Sequence, residues 1–164
     1  SIGEVVRARP DVFAHNVETV RRLTPAIRDP RCSFDRSLGV LAQAKDAGLL
    51  TKSSIMLGLG ESLDEVHDAM RELRGAGTDI LTLGQYLRPT PKHAPVVEYV
   101  SPGVFAALRK DGIGLGFRYV ASGPLVRSSY KAAEAFARSF LLGSPTALDT
   151  VVPLPHGPHG DTTH

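Results

Sequence analysis

The chain is nearly without cysteine. Cys32 is the single one among 164 residues, which excludes an intrachain disulfide framework and fits a reducing interior. It also lacks any run of about 18 apolar residues, the length a membrane-spanning helix needs. A large excess of charge of either sign is missing too. The net charge of +2 is too small to point to nucleic acid or an acidic membrane surface. A phosphate loop is excluded because no Gly-Lys-Ser/Thr ending follows its glycines. The Gly-x-Ser-x-Gly elbow of the serine hydrolases is absent. No His–Asp pair stands near Ser128 and Ser129 to activate either hydroxyl. There is no internal repeat and no visible signal peptide. Ser1-Ile-Gly-Glu-Val-Val-Arg7 contains no initiator methionine and reads like the middle of a protein, so a lost transit peptide is compatible with it.

What is present supports a packed core. Apolar residues make up 42% and charged residues 22% of the chain, a globular balance. Residues 1–142 are expected to form one α/β unit. Residues 143–164, rich in proline, glycine and histidine, are expected to form a disordered tail.

Asp11–His15 reads as a strand. The spacing of Val17, Val20, Leu23 and Ile27 predicts a helix to about Arg28, shortened or kinked by Pro25. Helices are expected over Asp35–Ala47, ended by Gly48, and over Glu61–Gly75, opened by a Ser62/Glu65 capping box. Further helices are expected from Ser101-Pro102 to Leu115 and over Lys131–Leu142. Leu49–Leu57, Asp79–Leu87 and Phe117–Ala121 read as strands. Strands alternating with helices imply βαβ units and a parallel sheet. About four strands are too few for a closed barrel.

Four segments carry chemistry. Thr51-Lys-Ser-Ser-Ile-Met-Leu-Gly-Leu-Gly-Glu61 brings a strand to a glycine pair. Gly58 and Gly60 stand at the strand's C-terminal end, where parallel α/β proteins bind ligands; the plainer reading is a βα turn. Gly84-Gln-Tyr-Leu-Arg-Pro-Thr-Pro91 places Gln85 and Tyr86 at another strand end, with a solvated loop as the plainer reading. In Phe13-Ala-His-Asn-Val-Glu18, Asn16 can serve as a helix N-cap. Ser122-Gly-Pro-Leu-Val-Arg-Ser-Ser-Tyr130 offers a planar guanidinium on Arg127 and two hydroxyls. Ser129 would also serve as a helix N-cap.

Taken together, these segments resemble lipoyl synthase, a radical S-adenosylmethionine family, from Arg9 to about Phe136. The resemblance implies a partial (βα) TIM-like barrel, of which this chain is the C-terminal half. It implies insertion of two sulfur atoms at C6 and C8 of a protein-bound octanoyl group. It also implies two 4Fe–4S clusters with S-adenosyl-L-methionine, an octanoylated lipoyl-carrier protein as partner, and an electron donor of the ferredoxin or flavodoxin type. The family's serine ligand to its auxiliary cluster falls on Ser129, with Ser128 as the alternative. Ser54-x-Met56-x-Gly58-x-x-Glu61 resembles the superfamily's Gly-x-Ile-x-Gly-x-x-Glu pattern, beside the cofactor adenine. Asn16, Lys52, Gly60, Gln85, Tyr86 and Leu87 are further candidates for the cofactor pocket, and Arg127 for positioning the cluster or substrate.

The chain departs from the family in lacking both cysteine triplets. Thiolates hold iron–sulfur clusters, and Cys32 stands in neither spacing, so this chain alone is expected to be inactive. The alternative is a truncated, non-catalytic paralogue that binds a lipoyl-domain protein or the full synthase. A third reading, an unrelated barrel enzyme acting on a phosphorylated metabolite, has the missing phosphate loop against it. Ile27-Arg-Asp-Pro-Arg31 and Phe117-Arg-Tyr-Val-Ala121 resemble plant and algal organellar forms. That implies plastid or mitochondrion in a eukaryote and cytoplasm otherwise.

Overall fold

The computed structural model describes residues 12–129 and 131–141. The expected tail at 143–164 lies outside them. Four strands, β1 (Val12–Ala14), β2 (Leu50–Leu57), β3 (Ile80–Gln85) and β4 (Tyr119–Gly123), form one sheet in the order β1-β2-β3-β4. Every neighbouring pair is parallel. The α/β class with parallel strands is therefore what the sequence led one to expect.

The helices begin and end where the local chemistry dictates. Helix α1 is Thr24–Ile27 and α2 is Phe34–Asp46, opened by the Ser33 hydroxyl accepting from Arg36 N–H. Helix α3, Leu63–Gly75, has the full reciprocal capping box of Ser62 and Glu65, which satisfies two orphan donors at once. Helix α4, Pro102–Leu115, starts with proline and stops at Gly116 with φ 100°, a left-handed conformation that glycine adopts without strain. Helix α5 is Lys131–Leu141.

One expected helix is corrected. Residues 17–20 do not coil. Glu18 instead bridges Ile55, with its N–H donating to Ser54 O at 3.0 Å and its carbonyl accepting Met56 N–H at 2.8 Å. Pairing with β2 holds Glu18 at φ 69° in a tight turn closed by Thr19 N–H on Val17 O at 2.9 Å, so only a 3₁₀ turn (Arg21–Leu23) and the single turn of α1 follow. Pro25 lies in the first turn of α1, where its missing N–H costs nothing. Val17 and Val20 are still buried, but not from a helix face. Asn16 therefore caps no helix. Strand β4 also begins two residues later than expected, because Phe117 N–H turns back to Gly112 O and closes the end of α4.

Strand side chains alternate between faces, and the register assigns them. Ile55, Leu57, Leu81, Leu83 and Val120 join Leu41, Met70, Leu73, Phe105 and Leu108 in the main core, so α2, α3 and α4 cover that face. The opposite face carries Leu50, Lys52, Ser54 and Met56, then Ile80, Thr82 and Gly84 on the next strand. Its lower end is covered by α5, whose Ala133, Phe136 and Ala137 pack on Leu50 and Ile80. Tyr119 stacks on Phe136 with ring centroids 5.1 Å apart.

Candidate functional site

The second face converges on its upper end. After β4 the chain does not leave the sheet. It turns at Gly123, with Val126 N–H on Gly123 O at 3.2 Å, and folds back over β3. A Cβ on Gly84 would fall far inside the contact distance of Val126 O, so the backbone lies directly on the strand there. The Arg127 guanidinium curls onto its own turn, donating from Nη1 to Pro124 O (3.2 Å) and Val126 O (2.9 Å). Lys52 Nζ reaches up from β2 and donates to Ser128 O. Ser128 and Ser129 are exposed, and among the described residues neither hydroxyl has a partner.

Lys52 is 6% exposed. Burial holds its amine below the ordinary lysine value, and attraction from Glu134 partly offsets this. Ser54 pairs across to Thr82 and Met56 to Gly84, so both belong to the same face. Thr82 Oγ1 is buried without a partner among the described residues.

The glycine turn is held by its own glutamate. The Glu61 carboxylate accepts the N–H of Gly58 at 2.6 Å and of Leu59 at 2.9 Å. The close approach that Gly58 permits is taken up by Glu98 O and Gln85 Nε2. Gln85 lies in the Leu81-Leu83-Gln85 row, on the helix side of the sheet. Its Nε2 donates to Tyr86 O and Glu98 O, each at 3.0 Å, and its Oε1 accepts Val100 N–H at 2.9 Å. The Tyr86 hydroxyl donates to Ala94 O at 2.7 Å. Both side chains thus tie segment 86–100 over the strand ends, Gln85 from the far side of the sheet from Ser54 and Met56. Leu87 is half-exposed. Asn16 is half-buried beside β2, following His15, whose N–H donates to Lys52 O at 3.0 Å.

His15 is a structural residue of the rim. Its Nε2 meets Ser37 Oγ at 3.0 Å, and that hydroxyl accepts Arg28 Nη1 at 2.8 Å. The hydroxyl keeps its own hydrogen for the imidazole, which suits a neutral ring. Burial first, then the Arg28 charge, hold His15 below the ordinary value of 6.5. Below that pH the unfolded chain binds a proton that the native chain refuses. Stability is therefore full above about pH 6.5 and falls as the pH drops toward the lowered native value. The urea midpoint, followed from about pH 7.5 down to about 5, is expected to fall more steeply in the parent than in His15→Gln. Parallel profiles would remove His15 from the acid response.

Sequence reasoning missed one ionic group. Asp79, at the foot of β3, is fully buried and gathers Lys45, Arg118 and the Thr51 N–H. The available signal was a carboxylate directly before an apolar strand.

The donor set decides what this face can hold. Ser54 and Met56 share one face of β2, and the Gly58–Gly60 turn follows directly after that strand. A four-iron cluster does not fit these residues by themselves. Serine offers hard oxygen where such clusters take thiolates, Cys32 lies in a turn before α2, and no group of potential metal ligands forms among the described residues.

A parallel α/β sheet with a serine segment folded across one face, at the C-terminal ends of its strands, defines the class: proteins that bind their ligand at that end. No family model matches the chain, but individual proteins do. It is 65% identical over 140 residues to a lipoyl synthase of Anaeromyxobacter dehalogenans, covering 84% of this chain and 48% of that protein. Against the Thermus thermophilus lipoyl synthase it is 57% identical over 138 residues, covering 83% and 43%. Against a chloroplastic lipoyl synthase of Ricinus communis it is 54% identical over 143 residues, covering 86% and 39%. Over the matched stretch the chain belongs to the lipoyl synthase family. It spans about half or less of the length of the curated relatives it matches. Among the described residues no helix is long and apolar enough to cross a membrane.

Proposed function

We propose that this chain is the C-terminal part of a lipoyl synthase whose complete form inserts two sulfur atoms at C6 and C8 of an octanoyl group on a lipoyl-carrier protein. The observation that carries this reading is the return of the Arg127-Ser128-Ser129 segment onto the face bearing Ser54 and Met56. Residues 76 positions apart meet there. Exposed hydroxyls, with no partner among the described residues, stand above a surface suited to a cofactor. When bound, S-adenosyl-L-methionine would supply the radical chemistry, with Ser54, Met56 and the glycine turn against it. Ser129, or Ser128 in its place, would contribute one oxygen ligand to an auxiliary 4Fe–4S cluster whose thiolates come from outside this chain. Alone, the chain is inactive. Electrons come from a ferredoxin- or flavodoxin-type donor. The compartment is organellar in a plant or alga and cytoplasmic in a bacterium.

The test is rescue of a lipoate-requiring strain by the contiguous gene. Ser129→Ala is expected to lower lipoyl product by about 100-fold or more, and Ser128→Ala only a few-fold. Full rescue by Ser129→Ala would overturn the assignment of Ser129. An upstream coding sequence without the cysteine triplets would overturn the enzyme reading.

A further inference from the structure

We propose that Lys52 is the positioning residue of the serine segment: its ammonium, rising from the N-terminal half of β2, fixes the Ser128 carbonyl and so sets where the Ser128 and Ser129 hydroxyls stand above the sheet. This rests on the reading of that segment as a working part of the site.

A buried lysine within an interior strand needs a reason. β2 is paired on both sides, and Lys52 is 6% exposed. Taking an ammonium out of water costs several kcal/mol unless it is compensated, at about the level that removes any gain from burying its stem. Among the described residues no carboxylate forms an ion pair with it. Among the described residues its one hydrogen-bond partner is the Ser128 carbonyl, with Glu134 attracting it from a distance. A main-chain acceptor is indifferent to side-chain identity, so the bond reads where the backbone is. A cavity of about 250 Å³ lies between Lys52 and α5, walled by Val12, Ala14, Ile80 and Ala133 together with the charged Glu134 and Arg138. Close packing therefore does not lock the stem from that side.

Two more devices act on the same few residues. Gly84 admits Val126 O against β3, and Arg127 closes the turn onto Pro124 and Val126. Val126 is itself buried. If the segment only needed covering, apolar contacts like that of Val126 would suffice at lower cost. Together these contacts engage the carbonyls of Pro124, Val126 and Ser128 and the N–H of Val126, while the serine hydroxyls have no partner among the described residues. The segment is registered to the sheet at two points, and the hydroxyls project beyond the second.

The experiment measures amide hydrogen exchange over residues 124–129, with tryptic cleavage after Arg127, in the full chain. Lys52→Met keeps the stem and removes the donor. It is expected to speed exchange in the segment by about tenfold, to speed cleavage, and to leave Tm unchanged or raised. Lys52→Arg, which still donates, restores protection. Gly84→Ala displaces Val126 O and gives the same local release from the second anchor point, with Lys52 intact. Two outcomes overturn the proposal. One is unchanged exchange in Lys52→Met. The other is a lowered Tm with exchange rising evenly through all four strands, the mark of a general packing role. Should Lys52→Met not fold, Lys52→Gln in the same measurement decides between them. Ser129→Ala leaves the exchange untouched. Failure of the lipoyl synthase reading and failure of the Lys52 assignment are thus seen separately.

Discussion

Asp79→Ala is expected to lower the unfolding free energy by about 3 kcal/mol, measured by urea denaturation with an unchanged m-value. Asp79 Oδ1 and Oδ2 each receive Lys45 Nζ at 3.0 Å. Oδ1 also receives Arg118 Nε at 3.1 Å, and Oδ2 the Thr51 N–H at 3.0 Å. The carboxylate is fully buried while the Lys45 and Arg118 side chains are 35% and 46% exposed. After truncation the two cations recover water, which holds the loss to the lower end of the range for broken buried pairs. The Thr51 N–H stays buried at the edge of the ladder and bears the desolvation cost. One carboxylate thus ties α2 to the starts of β2, β3 and β4. Asp79→Asn keeps an acceptor for Thr51 and is expected to lose about half as much. A loss under about 1 kcal/mol for Asp79→Ala would mean that the group is not a main stabiliser of the sheet.

Gly58→Ala is the second large effect, expected at about 2–3 kcal/mol. Gly58 has φ 99°, which a Cβ makes costly. That Cβ would also collide with Glu98 O and Gln85 Nε2. The residue cannot shift to relieve this. Its N–H is bound to Glu61 at 2.6 Å and its carbonyl accepts Val97 N–H at 2.8 Å. Gly60→Ala is the control. Its φ is 105°, but its Cβ would meet only Val97 at 3.7 Å, so about 1 kcal/mol from strain alone is expected. Tryptic cleavage after Lys92 should rise in Gly58→Ala and stay near the parent in Gly60→Ala. Equal losses in the two variants would show that backbone strain, not the seating of segment 86–100, is what Gly58 relieves.

Elements whose signals are local were readable from the residues. The Ser62/Glu65 box, Pro102 at a helix start and Gly116 at a helix end each act within a few positions, and α3 and α4 are where they place them. Residues 17–20 were not readable. Val17 and Val20 have the spacing of a helix face, yet a bridge from Glu18 to Ile55, 37 positions away, overrides it. At the site the sequence singled out Lys52, Ser54, Met56, Arg127, Ser128 and Ser129, and the fold brings these to one face. It also singled out Gln85 and Tyr86, whose polar atoms instead secure segment 86–100.

By itself, the sequence determined the order of strands and helices, the parallel sheet, the glycine turn at 58–60 and kinship with the lipoyl synthases. Each rests on short-range spacing or on residues matched one by one. Only the tertiary structure decided that Lys52 meets Ser128, that Val126 lies on Gly84, that Gln85 turns to the helix side and that Asp79 gathers two cations. These contacts join residues far apart in the chain. Strand register and face decide them, and a shift of one position in either would send each side chain to the other side of the sheet.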